Sequence, residues 1–524
     1  MKIKINKIFT LNFFIIITLM ILGFFLRTYY LNKNEIVFVY DQARDAYIAS
    51  QIAQGDLKIL GPPVSLGGFY HGVFYYYFIA LPYYLSQGNP ILPIIFISLL
   101  TIAVIPLVYF IGKILFNPKI GLLAALFYTI SFDIIQYSNW LSNPSLAIPF
   151  SVLLYFGLTL FFFTPKKTLG VILSAIGYAL SFQSQFFLGY FLIPIVFCFF
   201  YLKSKITKKQ LSLFIIITGL ILSTMVLAYF KFGFTFIDGI KTMVSNADAP
   251  FSWQDIDFSI DFKMVLIRLV ENFYRVVFPF NSFYTSIFLI CCFVFFIKQI
   301  KIKSKLAKPL SLFWVFILSQ AIVVPFGGES TPYINVGLQL PAILISAVFL
   351  IELSRTKKVL STILIIVFCF FSLKTDIQQN PKGQLIFAIQ KEMTLKNEIA
   401  VAQYTYQESN GQPFSINTVT APYWVNTVWS YIYQWYGQNK YGYTPSFHGR
   451  DQSGLLSYLS TDPTEAKYFF LIIEPSAGIP GYLINDSIQY ENSFSKIIKT
   501  KDIGGILVQK RELIKPINKI NFVK

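Results

Sequence analysis

Long apolar runs alternate with short polar gaps along most of the chain, the pattern of membrane-crossing helices rather than of half-buried surface helices. Eleven runs have span character, at residues 8–26, 91–111, 120–137, 145–163, 169–182, 187–202, 210–230, 283–297, 310–326, 333–351 and 359–371. Three stretches break that rhythm. The first, residues 28–90, concentrates acids, bases, glycines and prolines. Asp41, Arg44 and Asp45 open an amphipathic helix there, with Ala46, Ile48, Ala49, Ile52 and Ala53 at helical spacing and Gly55 ending it. Pro62-Pro63 and Gly67-Gly68 then lead to His71 and a Tyr-rich helix at 72–85, which is too short to cross and suits the membrane interface. The second stretch, 231–275, is amphipathic and aromatic. The third begins at Lys374, where charges become nearly balanced. Its pattern predicts helix over 384–407 and 423–436, strands over 414–420 and 468–474, and further strands over 495–510.

The fold class that follows is a polytopic α-helical membrane protein of about 11 transmembrane helices with a small C-terminal extracytoplasmic α/β domain, of ordinary domain size. The expected division is 1–373 for the membrane domain, with external loops at 28–90 and 231–275, and 374–524 for the second domain. Composition agrees. Of 524 residues, 55% are hydrophobic and 13% charged, about half the charged share of soluble domains. The net charge of +18 suggests nucleic acid only until the bases are located. They sit in short gaps between apolar runs, not in aromatic-interleaved patches, so no nucleic-acid partner is expected.

The distribution of those bases sets the expected orientation. Taken alternately, one set of gaps holds Lys2, Lys4 and Lys7, then Lys113 and Lys119, Lys166 and Lys167, Lys203 to Lys209, Lys298 to Lys308, and Arg355 to Lys358. The short gaps of the other set, 138–144, 183–185 and 327–332, contain neither Lys nor Arg. The positive-inside rule places the N-terminus in the cytoplasm and residues 38–77, 231–275 and everything past Lys374 outside. That holds only if 72–85 does not cross. The opening Lys-rich hexapeptide and run 8–26 resemble a signal peptide, but without a small-residue cleavage site an uncleaved first helix is expected. Cys198, Cys291, Cys292 and Cys369 all fall within runs of span character and give no disulfide framework.

No P-loop, dinucleotide fingerprint, H-E-x-x-H or C-x-x-C is present, and with only His71 and His448 a His-based metal site is not expected and no metal is assigned. An active site on the external side has no nucleotide sugars to draw on. The compatible donor is a sugar on a polyprenyl phosphate whose tail stays in the lipid. Such a transfer needs a carboxylate to take the acceptor's proton and cations to stabilise the departing phosphate. Asp41 is the candidate base, with Asp45 beside it. Arg44 and His71 are candidate phosphate groups, together with Arg268 and Arg275, which are seven apart and so share a helical face. Tyr70, Asn143 and Glu329 are candidates for the acceptor cavity. The plainer readings are an N-cap for Asp41, headgroup anchoring for the two arginines, and helix starts for Asn143 and Glu329. Trp424, Trp429, Tyr431, Tyr433, Trp435 and Tyr436 suggest sugar stacking, but their helical spacing favours domain core or docking onto the membrane part.

The sequence D-Q-A-R-D-A-Y-I-A-S-Q-I-A-Q-G-D at 41–56, followed by G-G-F-Y-H-G-V-F-Y-Y-Y at 67–77, resembles the first external loop of GT-C glycosyltransferases, most closely glycosyltransferase family 39. That family includes protein O-mannosyltransferases and aminoarabinose transferases. Asp41 aligns with the first acid of its Asp-Glu pair, Gly55-Asp56 with its helix end, Phe69-Tyr70-His71 with the element before its aromatic helix, and Asn143-Pro144-Ser145-Leu146 with its Asp-Ala-Pro-Leu motif. Gln42 stands for the second acid, Gly72-Val73 for the proline pair, and Asn143 for the later Asp. The resemblance implies a membrane glycosyltransferase that moves a hexosyl or pentosyl group from an undecaprenyl- or dolichyl-type donor to a protein, lipid or glycan acceptor, with Asp41 alone as base. The alternative is a transporter or flippase of lipid-linked saccharides, which predicts ionisable groups in mid-span and inverted repeats; here the acids sit in loops.

Overall fold

A computed structural model describes residues 2–64, 68–233, 237, 258–322, 332–383, 385, 388–449 and 459–517. The chain is mostly helical. In order come α1 (Lys2–Thr28), α2 (Tyr40–Ala53), α3 (Phe74–Leu85), α4 (Ile91–Ala103), α5 (Ile105–Leu115), α6 (Pro118–Ile130), α7 (Phe132–Ser138), α8 (Pro144–Phe163), α9 (Lys167–Ser184), α10 (Leu192–Tyr201) and α11 (Lys208–Phe232). Then follow α12 (Phe258–Val276), α13 (Ser282–Lys301), α14 (Ala307–Ser319), α15 (Gln339–Leu353) and α16 (Lys358–Gln379). Each apolar run of the sequence falls on one or more of these helices. Among the described residues six helices are long and apolar enough to cross a membrane, or seven when α6 and α7, bent by 52°, are taken as one span. Phe186–Tyr201, Ala307–Ile322 and Gln339–Leu353 are shorter apolar helices. The molecule is a multi-pass membrane protein.

Small residues set the closest helix contact. A Cβ on Gly177 would come within 2.3 Å of the Leu154 amide, and one on Gly157 within 2.4 Å of the Ser174 amide, so α8 and α9 run backbone to backbone. Without a hydrophobic drive between lipid-bathed helices, such close approach supplies the packing.

Two of the gaps that lack Lys and Arg, 138–144 and 183–185, gather with Tyr333 at one end of the bundle, around α2. Gln42 Nε2 donates to Leu141 O (2.9 Å), Gly72 N to Gln183 O (2.8 Å), and Gln185 Nε2 to Tyr333 O (3.1 Å). Trp140 and Tyr333 pack with ring centroids 5.9 Å apart. Both ends of α3 lie at this same end: Gly72 rests on Gln183, and the Gly88 carbonyl accepts from Tyr431 Oη (2.6 Å).

The C-terminal region forms a five-stranded sheet of order β2-β1-β3-β5-β4, from β1 (Phe414–Val419), β2 (Ser446–Phe447), β3 (Tyr468–Ile473), β4 (Ser495–Ile503) and β5 (Ile506–Leu513). β1 is parallel to β2 and β3, whereas β5 is antiparallel to β3 and β4. The helix expected over 384–407 starts only at Leu395, because Thr394 caps it, and forms α17 (Leu395–Glu408). The expected helix over 423–436 contains only α18 (Thr427–Ile432) and the start of a π-helical segment, Tyr433–Gly437, which leads into α19 (Gln438–Tyr441). β2 and α20 (Gly481–Asn492) are additions to the sequence-based reading.

This region is seated on the stretch 28–90. Val37 bridges Thr394, Leu395 N donates to Ile36 O (2.9 Å), and Tyr47 Oη donates to Ser430 Oγ (3.0 Å). Tyr431 packs edge-on to Tyr47, centroids 5.1 Å apart. Trp429, Tyr431 and Tyr433 are buried and Trp429 Nε1 donates to Glu474, so these three aromatics are core and docking groups.

Candidate functional site

α2 begins at Tyr40 behind an N-cap at Val39, whose amide donates to Gln42 Oε1 (3.1 Å). Asp41 is thus in the first turn and is not the cap; its charge there is favoured by the exposed helix N–H groups. Arg44, one turn on, binds both acids. Its Nη1 is 2.7 Å from Asp41 Oδ1, while Nε and Nη2 are 2.9 and 2.7 Å from Asp45 Oδ1. The two carboxylates differ sharply in setting. The Asp41 side chain is 56% exposed and that of Asp45 is 2% exposed. Burial pushes the Asp45 carboxyl up to about 7 against the opposing pull of Arg44.

Arg44 lines a cleft of about 540 Å³ whose other cations are Lys58 and Lys231, with Tyr40, Tyr70 and Tyr76 among its walls. Lys58 reaches it because Gly55, at φ +96°, ends α2 and turns the chain back. The segment after Lys58 is held by pairing with the chain before α3: His71 N donates to Pro62 O (2.8 Å) and Val64 N to Phe69 O (2.9 Å). Gly61 is required at that crossing, where a Cβ would lie 2.3 Å from the His71 carbonyl oxygen. Lys231 comes from the last turn of α11. Lys58 also pairs with Asp56, an exposed partner of the kind that contributes little.

The expected site residues divide into those the structure gathers here and those it does not. Arg44 and Tyr70 line the cleft, whereas Asp41 and Asp45 do not line it and reach it only through their pairing with Arg44. His71 is buried, its Nδ1 accepts from Phe186 N (3.0 Å), and burial with the nearby Arg44 lowers it to about 3. It is a neutral ring that fixes the loop, and the expected cationic phosphate ligand is corrected on that ground. Arg268 and Arg275 share a face of α12 as expected, bracketing Glu271, but neither lines the cleft. Asn143 is buried and its Nδ2 donates to Ser184 O (2.6 Å), which makes it a pin between two gaps rather than a cavity wall. Glu329 lies outside the described residues.

Lys231 and Tyr76 were not singled out by the sequence-based reading. Lys231 stands at the edge of an apolar run, where its charge reads as ordinary interfacial anchoring. The substitutions in the family-like motif have local causes. Gln42 is buried and joins α2 to the 138–144 gap, and Gly72 supplies an N–H to Gln183 that proline lacks. Among the described residues no group of three His, Cys, Asp or Glu is placed to hold a metal ion, and the acids of α2 each pair with Arg44 through one oxygen, Oδ1.

The fold has relatives, and so does a part of the sequence that leaves out α2, Lys58 and Lys231. Residues 70–229 match the family model described as dolichyl-phosphate-mannose-protein mannosyltransferase. The crystal structure of ArnT from Cupriavidus metallidurans bound to undecaprenyl phosphate superposes with a TM-score of 0.57 at 7% identity, covering 96% of this chain and 98% of that one. The apo form of the same protein gives 0.56, also at 7% identity, covering 97% and 98%. The Archaeoglobus fulgidus oligosaccharyltransferase, crystallised with Zn and sulfate, gives 0.50 at 12% identity over 79% of this chain. The chain spans only 61% of that oligosaccharyltransferase. No curated protein matches the chain. The architecture is the fold of these membrane proteins. Within it, the stretch from Tyr70 to Tyr229 is the part that resembles the mannosyltransferase family by sequence.

Proposed function

We propose that this chain is a glycosyltransferase that moves a sugar from a polyprenyl-phosphate donor to an acceptor on the extracytoplasmic side. The observation that carries the reading is the cleft lined by Arg44, Lys58 and Lys231 and by one acid, Asp56, with Asp41 and Asp45 paired to Arg44. Three cations suit a phosphate group, and the cleft lies at the end of the bundle where the gaps lack Lys and Arg. The positive-inside rule makes that end external and the N-terminus cytoplasmic. The relatives support the donor class: the ArnT structure holds undecaprenyl phosphate, and the matching family model is one of dolichyl-phosphate-mannose enzymes.

In the reaction an acceptor hydroxyl attacks the anomeric carbon from the face opposite the phosphate. The carbon–oxygen bond to the phosphate breaks, the new glycosidic bond forms, and the acceptor's proton passes to Asp41. As Asp41 is neutralised, its hold on Arg44 weakens and more of the guanidinium charge is available to the departing phosphate. Lys58 and Lys231 contribute the rest of the positive field. Arg268, Arg275 and Glu329 have no part in this reading, and Asn143 and His71 act by holding the loops. The two-domain division belongs to the same proposal, with its boundary moved past the end of α16 at Gln379.

The test is transfer from a radiolabelled polyprenyl-phospho-sugar by the purified full-length chain. Asp41→Asn is expected to lower turnover by two orders of magnitude or more, in the range of losing a general base, with donor binding retained. Full turnover in Asp41→Asn removes that residue from the mechanism.

A further inference from the structure

A second cleft, of about 440 Å³, opens between the C-terminal half of α2, the turn at 87–88 and the π-helical segment with the start of α19. Its walls differ in kind from those of the phosphate cleft. None of the residues lining it carries a formal charge, on a chain whose net charge is +18. Instead it presents the amides of Gln51, Gln54, Gln434 and Asn439 and the rings of Tyr431 and Trp435. Each amide is at once donor and acceptor, the combination that neighbouring hydroxyls on a sugar ring require. An aromatic face offers the matching apolar surface for the C–H side of that ring.

The aromatic wall is built rather than incidental. Trp435 stacks on Tyr431, with centroids 6.3 Å apart and planes 28° from parallel. Its indole edge lies against Gly88, where a Cβ would come within 2.8 Å of Trp435 Cδ1, and Gly88 sits at φ +90°. Tyr431 is fixed in turn by its hydroxyl's bond to the Gly88 carbonyl. Gln434 and Trp435 stand in the π-helical segment, a rare backbone form that often marks functional positions. Gln51 lines both clefts, so whatever occupies this one ends beside the donor site.

We infer that this cleft binds a neutral saccharide, which serves as the hydroxyl-bearing acceptor, so that the chain extends a glycan. The acceptor role rests on the transferase reading above; the saccharide site itself does not. An anionic glycan or an acidic peptide has no counter-charge in this cleft, and an apolar chain has too many amides to displace from water.

The test is equilibrium binding to the full-length chain in a detergent without sugar headgroups. The probes are maltotriose, mannotriose and chitotriose, and undecaprenyl phosphate is titrated into the same samples. At least one trisaccharide is expected to bind saturably, with affinity reduced tenfold or more in Trp435→Ala. Gln434→Ala with Asn439→Ala, both at exposed positions, should weaken it at least threefold without disturbing the fold. Absence of binding by all three probes, with undecaprenyl phosphate still bound, overturns the saccharide site and leaves the transferase reading standing. Trisaccharide binding without lipid binding supports the site and counts against the transferase reading. Binding untouched by either variant, or a Ser/Thr-containing peptide that binds in place of the sugars and is lost in Trp435→Ala, also overturns the inference.

Discussion

Arg44 places Nη1 on the exposed Asp41 and Nε and Nη2 on the buried Asp45, so one guanidinium is shared between two acids and a phosphate-sized cleft. Its charge toward the cleft depends on the state of Asp45. That carboxyl is raised from the usual 3.8 to about 7, so between those values the folded chain holds a proton that the unfolded chain has lost. Stability linked to Asp45 therefore falls as pH rises through that window. Below about 7 the neutral Asp45 leaves Arg44 freer for phosphate, and above it the carboxylate competes. The KM for a polyprenyl-phospho-sugar, whose phosphodiester does not titrate here, is expected to rise several-fold from pH 6 to pH 8. In Asp45→Asn that rise should vanish; coincident profiles for the two proteins would remove Asp45 from donor binding. The pairing of Asp41 with Arg44 was legible in the sequence as an i,i+3 pair on one helical face, whereas Arg44 and Asp45 are adjacent and their contact does not follow from spacing. The roles of Gln42, Gly72 and Asn143 were not. Gln42 and Gly72 have partners about a hundred residues away, and Asn143 bonds across 41 positions, where no local pattern points.

At the scale of elements, apolar runs located the membrane helices because each must be apolar throughout its span. Periodicity served less well in the C-terminal region. The pattern reads as helix from 384, yet residues 393–396 pair with residues 34–38 and Thr394 caps α17. The short α3 decides the topology, since counting it as a span would invert every later loop. Its ends meet the same end of the bundle. Single cysteines introduced at Asp56→Cys and Asn89→Cys, in a chain whose four native cysteines are replaced, are expected to react with an impermeant maleimide in intact cells. Lys166→Cys should react only after permeabilisation. Labelling of positions 56 and 89 from opposite sides would make α3 a span and invert the assigned orientation.

At the scale of the whole molecule, the C-terminal sheet region and the stretch 28–90 share one hydrophobic core, in which Phe38, Tyr47, Tyr76, Trp429 and Tyr431 take part. The cationic cleft and the neutral cleft lie on either side of α2, joined at Gln51. A donor held by its phosphate and an acceptor held by its hydroxyls would thus come closest along α2 at Gln51. The sequence located the charged half of this arrangement because acids and bases are conspicuous in an apolar chain. The neutral half was hidden, since Gln, Asn and Tyr are unremarkable in any single segment and become a site only when the 427–441 region folds over α2. The central claim, that Arg44, Lys58 and Lys231 form the phosphate site, is tested most directly by the affinity of the purified chain for undecaprenyl phosphate. Lys58→Gln combined with Lys231→Gln is expected to weaken binding at least tenfold at low salt, with the wild-type affinity itself falling as salt rises. Equal affinity in the wild type and the double variant would contradict the account.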